Sequence, residues 1–471
     1  MIRAQGVKIV FIGAGSTVFS RNIIGDILWH DALRDAELRL VDIDRDRLAT
    51  ALGMTRILSA QFKATGRITA TTDRRRALDG ADVVISAIGV GGIEATRVDL
   101  KVPQRFGVVQ TVGDTLGPGG IFRAIRGVPE LLRLCADMEE LCPKALLLNY
   151  SNPMAMHCLA VERATRIRHV GLCHGVVNTA LTMRMTTIMA AEPPDAVVRH
   201  FKRDYDDPVR VQEWLDWMAR GDDPELSYTC AGINHMAFFL RFESAGRDLY
   251  PLLRKAMDLP HLWRCDPVRF DLFRRLGFFM TETSGHTAEY TPYFLKHETE
   301  IKRCHLRVLG YLETCRRQDA AYRSMRREVK AGKAMAVLPY KPSHEYASRI
   351  INGLVTGKPY VFNGNVHNRG GALISNLPGD CCVEVPCTVD RQGVRPSAVG
   401  ELPPACAALI RTNVNVQDLT VRGILEGSRT YIRQALMLDP LTSGSLSLNR
   451  IDQLADALFK AHAKRLPANL R

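Results

Sequence analysis

The chain has 471 residues, 46% hydrophobic and 24% charged, with a formal charge of +13; this is the composition of an ordinary soluble globular protein, long enough for two or three domains or one large α/β unit. Its basic residues are mostly arginines mixed with acidic ones, and Arg74-Arg75-Arg76 is the one tight basic run with no aromatic stacking motif beside it, so nucleic acid is excluded as a partner and acidic small molecules are favoured. Twelve cysteines without a CxxC pair exclude a secreted disulfide framework and structural zinc, and no apolar run reaches the roughly 20 residues of a membrane span, so a reduced cytoplasm and no membrane partner are expected.

Residues 7–12 form an apolar strand that enters Gly13-Ala14-Gly15-Ser16-Thr17, the Gly-x-Gly part of a dinucleotide fingerprint with its third glycine position altered. The glycines admit a pyrophosphate close to the backbone, and the helix that follows stabilises its charge. A second strand at 37–41 ends in Asp42, placed to hold the adenine ribose, which favours NAD over NADP. A third strand, 81–87, runs into Gly89-Val90-Gly91-Gly92, either the floor under a nicotinamide or a flexible loop. Arg97, Asp99 and Lys101 follow on a polar segment, with Arg97 a candidate for substrate contact. The stretch 111–120 is too glycine-rich for a helix interior, so Asp114 is either a site carboxylate or an N-cap of a helix starting near Ile121.

A buried strand at 145–149 leads through Asn149 into Tyr150-Ser151-Asn152-Pro153, and a helix follows to about residue 164. The next strand, 169–172, ends in Cys173-His174-Gly175. Both polar sets thus fall at carboxyl ends of neighbouring parallel strands, where open α/β sheets keep their ligands. Downstream, 192–227 is charged, carries Trp214 and Trp217, and reads as an insertion or a subunit-contact arm. Gly232-Ile233-Asn234-His235 then supplies an imidazole that, with the Cys173 thiolate, suits a transition metal with open positions for substrate. The window 281–293 concentrates Glu282, His286, Glu289, Tyr290 and Tyr293. Further elements are a helix at 344–356, strands at 360–363 and 381–386, and helices at 403–417, 421–436 and 450–464.

The architecture expected is α/β: a Rossmann-type doubly wound sheet with an interleaved α+β catalytic and oligomerisation region, as in lactate and malate dehydrogenases. Its divisions are a dinucleotide-binding part (1–191), the insertion (192–227) and a substrate-binding and C-terminal part (228–471). The residues alone leave three readings: a 2-hydroxy acid dehydrogenase, an NAD enzyme whose substrate chelates a metal, and a nucleotide-sensing protein that has kept the fold.

Cys-His followed by Gly-x-Asn-His, behind a Gly-x-Gly strand, resembles the NAD-dependent family-four glycoside hydrolases, above all the bacterial α-galactosidases. The resemblance runs through 11–19, 115–120, 149–156, 171–174, 231–238, 341–348 and 376–384. It implies a redox-neutral hydrolysis: C3 of the sugar is oxidised by NAD, the C2 proton is removed, the aglycone leaves, water adds, and the hydride returns. It further implies Cys173 and His235 as ligands of a divalent ion, usually manganese. Asn152, with Asn149, would bind the sugar, His174 would act as acid and Tyr290 as base, with Asp114 and Glu282 as reserve acid/base groups. Assembly as a homodimer or homotetramer is implied as well. Gly175 stands where α-galactosidases carry serine and resembles α-glucuronidases instead, as does Ser284-Gly285-His286. Overall similarity nevertheless makes an α-galactoside the expected substrate, with an α-glucuronide, α-galacturonide or α-glucoside as alternatives.

Overall fold

The first strand, β1 (Lys8–Ile12), is buried at four of its five positions because it lies mid-sheet, with parallel neighbours on both sides. The computed structural model describes residues 5–191, 223–332 and 340–471. The other strands are β2 (Glu37–Val41), β3 (Ile68–Thr71), β4 (Val83–Ser86), β5 (Leu146–Asn149), β6 (Arg168–Gly171), β7 (Leu226–Ile233), β8 (Met236–Ser244), β9 (Arg247–Asp248), β10 (Phe279–Met280), β11 (Tyr360–His367), β12 (Cys382–Asp390) and β13 (Gly393–Pro396).

The first six strands are parallel in the order 3-2-1-4-5-6, the doubly wound arrangement expected. Strand order reverses between β1 and β4, and that reversal opens a crevice at their carboxyl ends. Beyond β6 the same sheet continues antiparallel through β11, β12, β7, β8 and β10. Asn365 on β11 pairs opposite Gly171 on β6, and Glu384 on β12 opposite Gly232 on β7. One ladder of hydrogen bonds therefore carries the end of β6 and the β7–β8 turn to a common edge. The core is continuous across both parts: Phe11, Leu148, Phe238, Tyr346 and Leu458 belong to one buried cluster.

Several elements differ from the sequence reading. β3 is an edge strand with all four residues half-buried, so it shows no alternation to detect. β8 opens with the apolar run Met-Ala-Phe-Phe, buried throughout, which periodicity alone cannot identify as a strand. The glycine-rich stretch does not delay its helix to Ile121: the helix is Gly117–Leu141, because a Cβ at Gly120 would meet the Thr115 backbone at 2.4 Å and only glycine lets the helix start pack on that loop. Asp114 lies outside this helix and is not its N-cap, which is Leu116. The two helices expected at 403–417 and 421–436 are present as Pro404–Glu426 and Arg429–Leu438, with the break displaced to Gly427-Ser428. The first runs unbroken through 418–420, with Thr420 Oγ1 bonded back to the Val416 carbonyl, and ends at Gly427 with φ +68°. Asp99 is buried, not part of a solvated face: Arg126 donates to both its oxygens at 2.8 and 2.6 Å, and His462 lies 2.9 Å away.

Residues 192–222, which include Trp214 and Trp217, lie outside the described residues. No described helix is long and apolar enough to cross a membrane.

Candidate active site at the sheet edge

At the β1–β4 reversal, Gly13 and Ala14 both donate to the Val41 carbonyl, folding the glycine turn over β2. Gly13 has φ +84°, and a Cβ there would stand 2.6 Å from the Ala87 carbonyl oxygen, so the backbone forms a cradle that a side chain would fill. Ser16 donates its backbone N–H to the Gly13 carbonyl at 3.1 Å and precedes the helix Thr17–Trp29. Thr17 opens that helix; its side chain lies outside those described. The Asp42 carboxylate accepts from Gly15 N–H at 2.7 Å and Asp44 N–H at 2.9 Å. A carboxylate offers about four acceptor positions, so Asp42 both locks the turn and retains capacity for a ribose. Beside it Ile43 is 95% exposed, an apolar surface of the kind a flat ring covers. These features fit a dinucleotide.

The second group gathers one layer further along the same edge. Cys173 follows β6, and His235 sits in the two-residue turn between β7 and β8, with Ile233 paired to Met236 and φ +63° at His235. A positive φ at a non-glycine residue costs about 1–3 kcal/mol and persists only where the surroundings enforce it. Here the enforced geometry puts His235 Nε2 3.2 Å from Cys173 Sγ. The other ring nitrogen, Nδ1, lies 3.1 Å from both Thr115 Oγ1 and Tyr290 Oη. Thr115 donates its own proton to Asp114 Oδ1 at 2.8 Å, so Nδ1 carries the hydrogen and Nε2 keeps its lone pair. That is the tautomer a metal ligand needs.

Burial raises the Cys173 thiol well above 9, and Glu282 and Glu384 push it further. A thiol so placed ionises against a bound cation, releasing its proton. Burial lowers the His235 imidazole, which keeps it neutral. The pair therefore fits a divalent ion.

Around the pair lie the remaining ionisable groups. Asn152 Nδ2 donates to Asp114 Oδ2 at 3.0 Å, and Arg123 Nε donates to the Asn152 carbonyl at 3.2 Å. Burial alone would raise Asp114, but hydrogen bonding and charge from His286, with Arg123 and His235, hold it far below the usual carboxylate range. His286 lies 3.6 Å from Asp114 and 3.6 Å from Glu282. Burial opposes its charge, yet these carboxylates raise it to about 9. His174, half exposed, has Nδ1 2.8 Å from Glu345 Oε1. Burial lowers it, but the Glu345 hydrogen bond and charge prevail and raise it to about 8.

Not every expected residue joins this group. Tyr290 is fully buried, with its hydroxyl on Nδ1, the side of the imidazole away from Cys173. Burial raises its phenol well above 10, and Asp114, Glu289 and Glu282 add to that, so the phenol would serve as a base only beside a cation that lowers it. Asn149 spends its amide on the Ser151 carbonyl and Met154 Sδ and accepts from Ser151 N–H; it shapes the turn that presents Asn152 instead of offering itself to a sugar. Arg97 is paired with Glu94 on the exposed face of the helix Gly92–Phe106, a surface ion pair and not a member of the cluster described.

Sequence reasoning assigned no role to Glu345, Thr115, His286 or Glu289. Glu289 accepts from the backbone N–H groups of Thr111, Val112 and Gly113, fixing the loop that carries Asp114. The density of ionisable residues at 281–293 was its only sequence signal. Glu345 reaches His174 across 171 positions, and no local pattern marks such a pairing.

Residues 8–189 match the family model described as family 4 glycosyl hydrolase, and 230–442 the model of the family 4 glycosyl hydrolase C-terminal domain. An α-galactosidase of Bacillus subtilis (strain 168) is 39% identical, over 98% of this chain and 99% of its own. An α-galactosidase of Rhizobium meliloti (strain 1021) is 36% identical, over 98% of this chain and 89% of its own. Among solved structures, a putative glucosidase from Bacillus subtilis has the same fold, with a TM-score of 0.78 at 24% identity, covering 96% of this chain and 100% of its own.

Proposed function

The chain belongs to glycosyl hydrolase family 4, and from that premise we propose that it hydrolyses α-galactosides using NAD and a divalent ion such as Mn²⁺. The observation that carries this reading is the Cys173–His235 donor pair, 3.2 Å apart, on the same sheet edge as the Gly13 cradle. Gly13, Gly15, Ser16 and Asp42 would hold NAD, and Cys173 and His235 the ion. When bound, NAD supplies the acceptor for the C3 hydride, and the ion polarises the C2 and C3 oxygens, which acidifies the C2 proton.

The chain's own residues move the protons. His174, an imidazolium up to about pH 8, keeps Nδ1 on Glu345 and offers Nε2–H to the leaving oxygen of the aglycone. Asn152, oriented by Arg123 and Asp114, binds a sugar hydroxyl with its amide. Of the three base candidates, Tyr290 lies behind His235 and positions the ring, and Glu282 lies against Cys173. Asp114, whose Oδ2 lies 3.0 Å from the Asn152 amide that binds the sugar, is placed to take the C2 proton, although the charge of His286 and Arg123 makes its carboxylate a weak base until the ion acidifies that proton.

The pH profile tests the acid. His174 is raised above its ordinary value, so the active imidazolium persists below about 8 and is lost as pH rises through it. We expect kcat to fall on the alkaline side near that value, and Glu345→Gln to move the limb towards about 6.5. A limb unmoved by the substitution would remove His174 from the acid role.

The substrate is tested by release of p-nitrophenol from the α-galactoside, α-glucoside and α-glucuronide, with NAD and Mn²⁺ each present or omitted. Galactoside turnover that needs both supports the proposal; turnover after NAD has been stripped and shown absent contradicts it. Gly175 favours a second reading, an α-uronide, which cleavage of the glucuronide alone would establish. We also propose a cytoplasmic homodimer or homotetramer, checked by light scattering for its assembly.

A further inference from the structure

β10 ends one residue before Thr281, whose backbone N–H donates to the Ala237 carbonyl at 2.8 Å; in return Thr281 Oγ1 accepts from Ala237 N–H at 3.1 Å. The chain then turns sharply at Glu282, φ +75°, before Thr283 caps the helix Ser284–Glu289. Glu282 and His235 are thus both non-glycine residues held in the left-handed region, the kind of enforced conformation that marks functional positions. The effect of the turn is to send the Glu282 carboxylate onto the Cys173–His235 pair.

Its Oε1 lies 3.7 Å from Cys173 Sγ and 3.5 Å from His235 Nε2, which are themselves 3.2 Å apart. Metal–ligand bonds of about 2.0–2.3 Å place neighbouring donors about 2.9–3.7 Å apart, whether at octahedral or tetrahedral angles. The three atoms therefore have the spacing of donors that share one ion. Glu282 reaches this position because residue 175 has no side chain: a Cβ there would stand 2.1 Å from Oε1. Gly175 also donates its backbone N–H to Cys173 Sγ at 3.3 Å, which favours the thiolate.

We propose that Glu282 is a third protein ligand of the divalent ion. The inference rests on the metal-dependent reading above. A thiolate and a carboxylate together balance a 2+ charge, and the added oxygen donor suits a harder ion such as Mn²⁺. Three protein donors would leave further coordination positions of such an ion open to sugar oxygens and water. Ligation also takes Glu282 out of the base role, since a carboxylate whose charge a bound cation engages is a weaker base.

The test is Mn²⁺ binding to NAD-loaded, metal-stripped protein without sugar, followed by electron paramagnetic resonance of the free ion, with water-proton relaxation reporting waters on the bound ion. Wild type, Cys173→Ser, Glu282→Gln and Glu282→Ala are compared, with NAD affinity and thermal unfolding reporting the fold. Loss of an outer partner of a metal ligand typically costs 10–100-fold in affinity, so loss of a ligand itself is expected at about 100-fold or beyond. Glu282→Ala should in addition carry one more water on the Mn²⁺ it binds at high concentration. Affinity within threefold of wild type in both Glu282 variants, with binding lost in Cys173→Ser, overturns the inference and leaves the two-ligand site standing. No Mn²⁺ binding by the wild type would overturn the metal site itself.

Discussion

Cys173→Ser is expected to leave a folded, NAD-binding protein whose metal-dependent turnover has gone. The substitution is nearly isosteric, so it opens no cavity, but it replaces an ionisable thiol by a hydroxyl that does not ionise at the pH of the assay. Cys173 Sγ accepts from Gly175 N–H and faces His235 Nε2, so a serine loses the anionic donor while keeping the local geometry. Lewis-acid stabilisation of developing charge contributes several kcal/mol; losing about 4 kcal/mol corresponds to about 10³-fold in rate. The measurement is kcat/KM on the p-nitrophenyl glycoside at saturating NAD over a Mn²⁺ titration, beside NAD binding by fluorescence. Activity retained at ordinary Mn²⁺ concentrations would exclude Cys173 as a ligand.

Asp114→Asn should cost about 10²–10⁴ in kcat, the usual contribution of a positioned base. An amide keeps the shape, but with one oxygen in place of two it accepts from Thr115 or from Asn152 and not from both, and it cannot receive a proton from carbon. Hydride transfer at C3 precedes that step, so NADH absorbance should still appear while exchange of the C2 proton with deuterated solvent disappears. Tyr290→Phe is the counterpart. It removes one of two partners of His235 Nδ1 and leaves Thr115 in place, so exchange should persist. If exchange is instead lost in Tyr290→Phe and kept in Asp114→Asn, the phenol is the base.

The sequence alone determined the parts whose chemistry is local. A strand, Gly13-Ala14-Gly15 and a helix lie within about twenty residues of one another, and backbone sterics near a pyrophosphate demand glycine there whatever the rest of the chain does. The position of Cys173-His174 after β6 and of His235 after β7 was legible because α/β sheets present polar residues at strand ends, and these residue types made them candidate metal ligands. Even so, a short edge strand such as β3 and a strand that opens on an unbroken apolar run, β8, escaped for lack of a period.

Tertiary structure decided which atom of each residue faces which. That His235 turns Nε2 to Cys173 follows from Thr115 and Tyr290 holding Nδ1, and these come from segments 120 positions before and 55 after it. Glu345 beneath His174, Glu289 under the Asp114 loop and Glu282 against the gap at Gly175 are likewise pairings across the fold. Asn149 and Arg97, plausible by type, were turned to other work by a local turn and a surface pair. Residue chemistry limits what a side chain is able to do, but direction, burial and the charge of its neighbours are set by strands paired far apart in sequence, and those fix the protonation state on which the chemistry depends.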